Sequence, residues 1–163
     1  MQRAKNPSAN DQMATKEISK WAGAAVAALS CPRVLVADDD PTTSELLSSI
    51  GNGTAYQIVS VSDGREAYRV LMGDAGFAAA VFNMAMPHLR GVDLVRHMKT
   101  EKRLMRIPVI IVSGEGGLHI VADSFAAGAI AFLSKPFVPE QLHRTLKLAL
   151  SSKEPKEEFS QAA

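Results

Sequence analysis

Short apolar runs and helix-spaced segments alternate along the middle of this chain. The runs are VLVA at 34–37, YQIVSV at 56–61, AAAVF at 78–82, PVIIVS at 108–113 and AIAFLS at 129–134. Strict polar–apolar alternation would mark strands wet on one face. Continuous Val, Ile, Ala and Phe instead predict strands buried on both faces. Helix-period segments lie near 41–50, 64–72, 91–100 and 117–127, with a last one near 138–151. Pro41 suits a first helical turn, and Asp63–Gly64 and Gly91 mark turns. Strand–helix units in unbroken succession predict an α/β domain built on a doubly wound parallel sheet.

Flanking segments extend this domain, which is assigned to residues 31–151. Ile18, Trp21, Ala22, Ala25, Val26 and Leu29 recur at helical spacing behind Thr15, a suitable N-cap. They predict an amphipathic helix over 16–29 inside an N-terminal extension of residues 1–30, with polar residues 1–14 leading into it. The apolar part, WAGAAVAALSC, follows Arg3, Lys5, Lys16 and Lys20 and so has a superficial likeness to a secretory leader. Asp11 and Glu17 interrupt that basic stretch, and a cut near Cys31 would fall on the edge of the first core strand. A docked or dimer-forming helix is the expectation. Residues 152–163, SKEPKEEFSQAA, form a charged, frayed tail.

Composition narrows the function classes. A length of 163 residues suits one domain with appendages, and a formal net charge of +1 exerts no general pull toward nucleic acid or membrane. The basic stretch RHMKTEKRLMR at 96–106 is interrupted by Glu101 and carries no aromatic residue, as expected of a solvated helix end. The single cysteine, Cys31, cannot form an internal disulfide, which fits a reducing, cytoplasmic setting. No apolar run is long enough to span a bilayer. His88, His97, His119 and His143 share no metal-like spacing.

Chemistry-bearing residues follow the strands. In an open α/β sheet, ligands bind beyond the carboxyl ends of the strands. Asp38, Asp39 and Asp40 follow the first run, Asn83 the third, Ser113 ends the fourth, and Lys135–Pro136 follows the fifth. Crowded carboxylates are costly unless a cation sits among them. A hard divalent ion such as Mg²⁺ suits them, and a hydroxyl plus an ammonium suit a phosphoryl group held by it.

This ordered set resembles the receiver domain of two-component response regulators over about residues 32–150. The resemblance rests on VLVADDDP, on NMAMPHLRG against the family's Asp-x-x-Met-Pro-x-Met-x-Gly, on IVSG, and on GAIAFLSKPF. Spacings agree as well: 44 residues from Asp39 to Asn83, 30 on to Ser113 and 22 on to Lys135. The resemblance implies strand order 2-1-3-4-5, a flavodoxin-like arrangement. It also implies Mg²⁺ held by Asp38, Asp39, residue 83 and the carbonyl of Ala85. Ser113, Gly114 and Lys135 would form the phosphoryl site, with Phe132 as an aromatic switch. Partners would be a sensor histidine kinase, a phosphotransfer protein or a downstream effector, with a second copy of the chain as a further candidate.

Two departures stand out. Leu89 replaces a common Met, and Asn83 stands where the family has its phosphoaccepting aspartate. Acyl-phosphate chemistry needs a carboxylate nucleophile, which an amide does not supply. The expectation is therefore a stand-alone receiver module, not an enzyme, that signals by protein–protein contact and binds Mg²⁺ more weakly. The amide NH₂ can also reach Asp38 or Asp39 and quiet their repulsion. Both a natural pseudo-receiver and a deliberately phosphorylation-blocked receiver have this sequence. A rival reading comes from Asp38-x-Asp40-x-Thr42, which matches the nucleophile motif of haloacid-dehalogenase-like phosphatases. Against it, no further acidic pair follows Lys135 on a strand and no length remains for a cap domain.

Overall fold

The computed structural model describes residues 12–20, 22, 31–50 and 56–151. The chain divides into two compact units, Met1–Cys31 and Pro32–Ala163. In the first, residues 12–20 form a helix, α1. It begins earlier than the spacing predicts, so Thr15 lies inside it and does not cap it. Gln12, Met13, Ala14, Lys16 and Glu17 are all good helix formers and carry the helix toward the N-terminus. Ile18 is exposed, while Trp21, Ala25, Val26 and Leu29 lie outside the described residues.

The second unit runs β1 (Arg33–Ala37), α2 (Thr42–Ile50), β2 (Gln57–Val61), α3 (Gly64–Gly73), β3 (Ala79–Asn83), α4 (Gly91–Thr100), β4 (Val109–Ser113), α5 (Leu118–Ala127), β5 (Ala131–Ser134) and α6 (Pro139–Ser151). Its five strands are all parallel, in the order β2-β1-β3-β4-β5. This is the doubly wound flavodoxin-like fold.

Alternate residues of each central strand enter opposite cores. Leu35, Ala80, Phe82 and Ile111 pack with Leu71, Leu94, Val95 and Met98 of α3 and α4. Val34, Val36, Val81, Ile110 and Val112 pack on the other side with Leu47 of α2 and Leu142 and Leu146 of α6. The expectation of strands buried on both faces holds for β3 and β4 throughout and for β1 after Arg33. It fails for β2 and β5, which are only partly covered because they are the edges of the sheet.

Helix ends use local chemistry. Asp63 caps α3, its carboxylate accepting from the Glu66 N–H at 2.8 Å. The α5 helix stops on Gly128, whose left-handed φ of 115° suits a residue without Cβ. Arg33 and Asp74 clamp the start of β1 to the end of α3 through two hydrogen bonds of 2.6 and 2.8 Å.

Gly91 opens α4 against the backbone of Asn83. A Cβ there would overlap the Asn83 carbonyl oxygen, so glycine is needed for close approach. Gly91→Ala should destabilise the domain by about 1–3 kcal/mol, the usual cost of overpacking. Gly73→Ala is the matched control, since a Cβ there meets nothing within 4 Å. Urea unfolding of both variants checks the difference.

The Arg33 hydrogen bonds hold Asp74 well below the usual carboxylate range, at about 2 against an ordinary 3.8. The folded form is the stronger acid, so the pair's contribution is complete above the ordinary value and disappears as pH falls from there toward 2. Asp74→Asn should therefore lower the urea midpoint at neutral pH, with the gap to the unaltered chain closing in strong acid.

Candidate functional site

Continuation of the sheet ladder beyond the strands fixes the rim. Asp38 N–H donates to the Val61 carbonyl at 3.2 Å, Met84 N–H to Val112 at 2.8 Å and Lys135 N–H to Ser113 at 2.7 Å. Asp38, Asn83, Ser113 and Lys135 are thus brought to one edge by backbone bonds, before any side chain is considered.

Asp38 is the centre of this edge, with its side chain only 2% exposed. Its Oδ2 accepts from Lys135 Nζ at 2.7 Å and from Thr43 Oγ1 at 2.7 Å. Its Oδ1 accepts from the Asp40 N–H at 3.0 Å and from Asn83 Nδ2 at 3.0 Å. Four donors therefore fill the four acceptor positions of one carboxylate. One of them is a cation, which makes the bond charge-assisted and offsets the burial.

Asn83, itself buried, turns its NH₂ into the rim. Besides Asp38, Nδ2 donates to Asp39 Oδ1 at 3.0 Å and to the Ala85 carbonyl at 3.0 Å. Two hydrogens thus serve three acceptors, one of them shared. Asp39 is exposed at the mouth of the site.

Other expected residues are placed differently. Ser113 is buried, and its hydroxyl donates to the Glu115 carbonyl and accepts from the Glu115 N–H, both at 3.1 Å. It is thus engaged by its own loop. Gly114 is exposed, and a Cβ on it would meet nothing within 4 Å, so glycine is not sterically required there. Phe132 is half-buried against the core face that contains Phe82 and Ile111. Asp40 turns its carboxylate to the start of α2, accepting from Thr42 Oγ1 at 2.6 Å and from the Thr42 N–H at 3.0 Å. Those bonds pull its carboxyl below the usual range.

Thr43 is the member of this network that the sequence pattern did not single out. The available signal was helical phase. Thr43 precedes the buried Leu47 by four residues, so it faces inward, where its hydroxyl donates to the Asp38 carboxylate.

The fit to a divalent ion is uneven. Two carboxylate oxygens and one carbonyl converge, an all-oxygen set of the kind Mg²⁺ prefers. Yet they converge on a nitrogen that donates, so the present arrangement does not fit the ion. Among the described residues, no three His, Cys, Asp or Glu side chains are grouped to hold a metal.

A doubly wound sheet whose rim joins an acidic pair to a lysine after the last strand defines the receiver class of α/β domains. The sequence matches the response regulator receiver domain over residues 34–147. Among curated relatives, the chemotaxis protein CheY1 of Helicobacter pylori is 28% identical over 121 residues, which cover 74% of this chain and 98% of that one. The rice two-component response regulator ORR11 is 28% identical over 133 residues, covering 78% and 90%. Among solved structures, the receiver domain of a histidine kinase from Syntrophus aciditrophicus superposes with a TM-score of 0.69 at 31% identity, covering 82% of this chain and all of that one. The receiver domain of the sensor kinase PA1611 from Pseudomonas aeruginosa has a TM-score of 0.66 at 21% identity, covering 75% and 99%, and holds a magnesium ion in its active-site cleft. This chain belongs to the response regulator receiver family of two-component signalling. The phosphatase reading of Asp38 and Asp40 is set aside, since the Asp40 carboxylate is turned to the start of α2 and Asp38 is fully engaged.

Lys135→Met should destabilise the domain by about 3 kcal/mol, because it leaves a buried carboxylate without its cation. The double variant Asp38→Asn, Lys135→Met should recover part of that loss. Chemical denaturation of the singles and the double closes the cycle.

Proposed function

We propose that this receiver signals through protein–protein contact and takes no phosphoryl group on residue 83. One observation carries the reading. Asn83 ends β3 within the acidic rim, and its side chain is an amide engaged with Asp38, Asp39 and Ala85. An amide oxygen is too weak a nucleophile for acyl phosphate formation. The partners are a sensor histidine kinase, a phosphotransfer protein or a downstream effector in the cytoplasm, with a second copy of the chain as a further candidate. Relative to a receiver with aspartate here, the site has lost one charge toward Mg²⁺, worth roughly 1–4 kcal/mol at about 4 Å between the water and partly screened limits.

A second reading has its own support. Asp38, Asp39, Ser113 and Lys135 all remain at the strand ends, as they would in an ordinary phosphoaccepting receiver blocked at one position. In both readings the amide of Asn83 blocks acyl phosphate formation.

Acetyl phosphate tests this directly. With Mg²⁺ present, the unaltered chain should gain no mass, and Asn83→Asp should gain one hydroxylamine-labile phosphoryl group by intact-mass spectrometry. Labelling of the unaltered chain at residue 83 would overturn the proposal. An unmodified Asn83→Asp would show that the pocket has drifted beyond its acceptor.

A further inference from the structure

We infer that the neutral side-chain NH₂ of Asn83 takes a metal's place in the pocket by donating to its oxygens, so that the folded domain draws no stability from Mg²⁺. The inference deepens the functional reading just given and rests on it. Asp38 Oδ1, Asp39 Oδ1 and the Ala85 carbonyl all lie 3.0 Å from the same nitrogen. The first two belong to the turn after β1 and the third to the turn after β3, so the amide ties together two segments that a bound ion would otherwise join. Its hydrogens present positive partial charge to both carboxylates.

Two obstacles face a divalent ion. The three oxygens that would turn toward it are engaged by Nδ2, an amide nitrogen that donates and cannot itself ligate. The remaining charge on Asp38 is already matched by Lys135 at 2.7 Å. Turning the amide to offer Oδ1 breaks three hydrogen bonds and returns only a neutral ligand.

Thermal unfolding of the full chain in EDTA and in MgCl₂, against NaCl of equal ionic strength, reads this inference. The unaltered chain should melt at the same temperature throughout. Asn83→Asp should melt lower in EDTA and rise by a few degrees, on the order of 2–8 °C, as Mg²⁺ saturates it. Asn83→Ala, which removes the NH₂ without adding a charge, should also melt lower in EDTA. Any Mg²⁺-dependent rise in the unaltered chain beyond that in NaCl would overturn the inference. So would Asn83→Asp matching the unaltered chain in EDTA. An Asn83→Asp chain that folds only with Mg²⁺ is the expected result in its strongest form. The acetyl phosphate experiment separates the two claims. If Asn83→Asp is labelled and the unaltered chain is not, yet the unaltered chain responds to Mg²⁺, the amide's role fails and the signalling proposal stands. Labelling at Asn83 in a Mg²⁺-indifferent chain does the opposite: the signalling proposal fails and the amide's role stands.

Discussion

Asp38 has almost no access to water, and a buried carboxylate costs several kcal/mol unless other donors replace its lost hydration. Here they come from four places: the α2 hydroxyl of Thr43, the backbone of Asp40, the amide of Asn83 and the ammonium of Lys135. Each is held by a different element, so satisfying one carboxylate sets the relative positions of α2, β3 and the turn after β5. The rim is therefore a single electrostatic unit. Its neutral member at residue 83 is tolerable because Lys135 already supplies the positive charge.

The sheet makes this unit possible by alternation. Phe82 enters one core and Val81 the other, so the strand must end before a side chain can turn along the sheet edge. Asn83 is that terminal residue, paired in register with Val112. Its carbonyl is crowded by Gly91 at the start of α4, while its amide faces the acidic turn after β1. One residue thus couples helix entry to the chemistry of the rim.

Much of this was legible in the sequence, for physical reasons. Continuous apolar runs ending on Asp, Asn and Ser marked strand ends, and strand ends in a parallel sheet share one edge. What the pattern concealed was local. The half-exposed faces of β2 and β5 depend on which strands lie at the edges, a property of topology and not of either run. Ser113 turns into its own loop because the Glu115 N–H and carbonyl both lie within reach, and one-dimensional spacing carries no such information. Thr43 looked like one hydroxyl among several in TTSELLSS, set apart from Thr42 by its phase with Leu47 and, in the fold, by its depth beside Asp38. The helix at residues 12–20 began earlier than its apolar stripe, because good helix formers need no apolar partner to extend a turn.

Two of the four partners of Asp38 are remote in the chain: Asn83 lies 45 positions away and Lys135 lies 97. Contacts of that separation form only after β1, β3 and β5 have come together, because the loop entropy of closing them must first be met by other contacts. The charged rim thus ties the turn after the first strand to the end of the third and to the turn after the last, so that connections spread over most of the domain meet at one carboxylate.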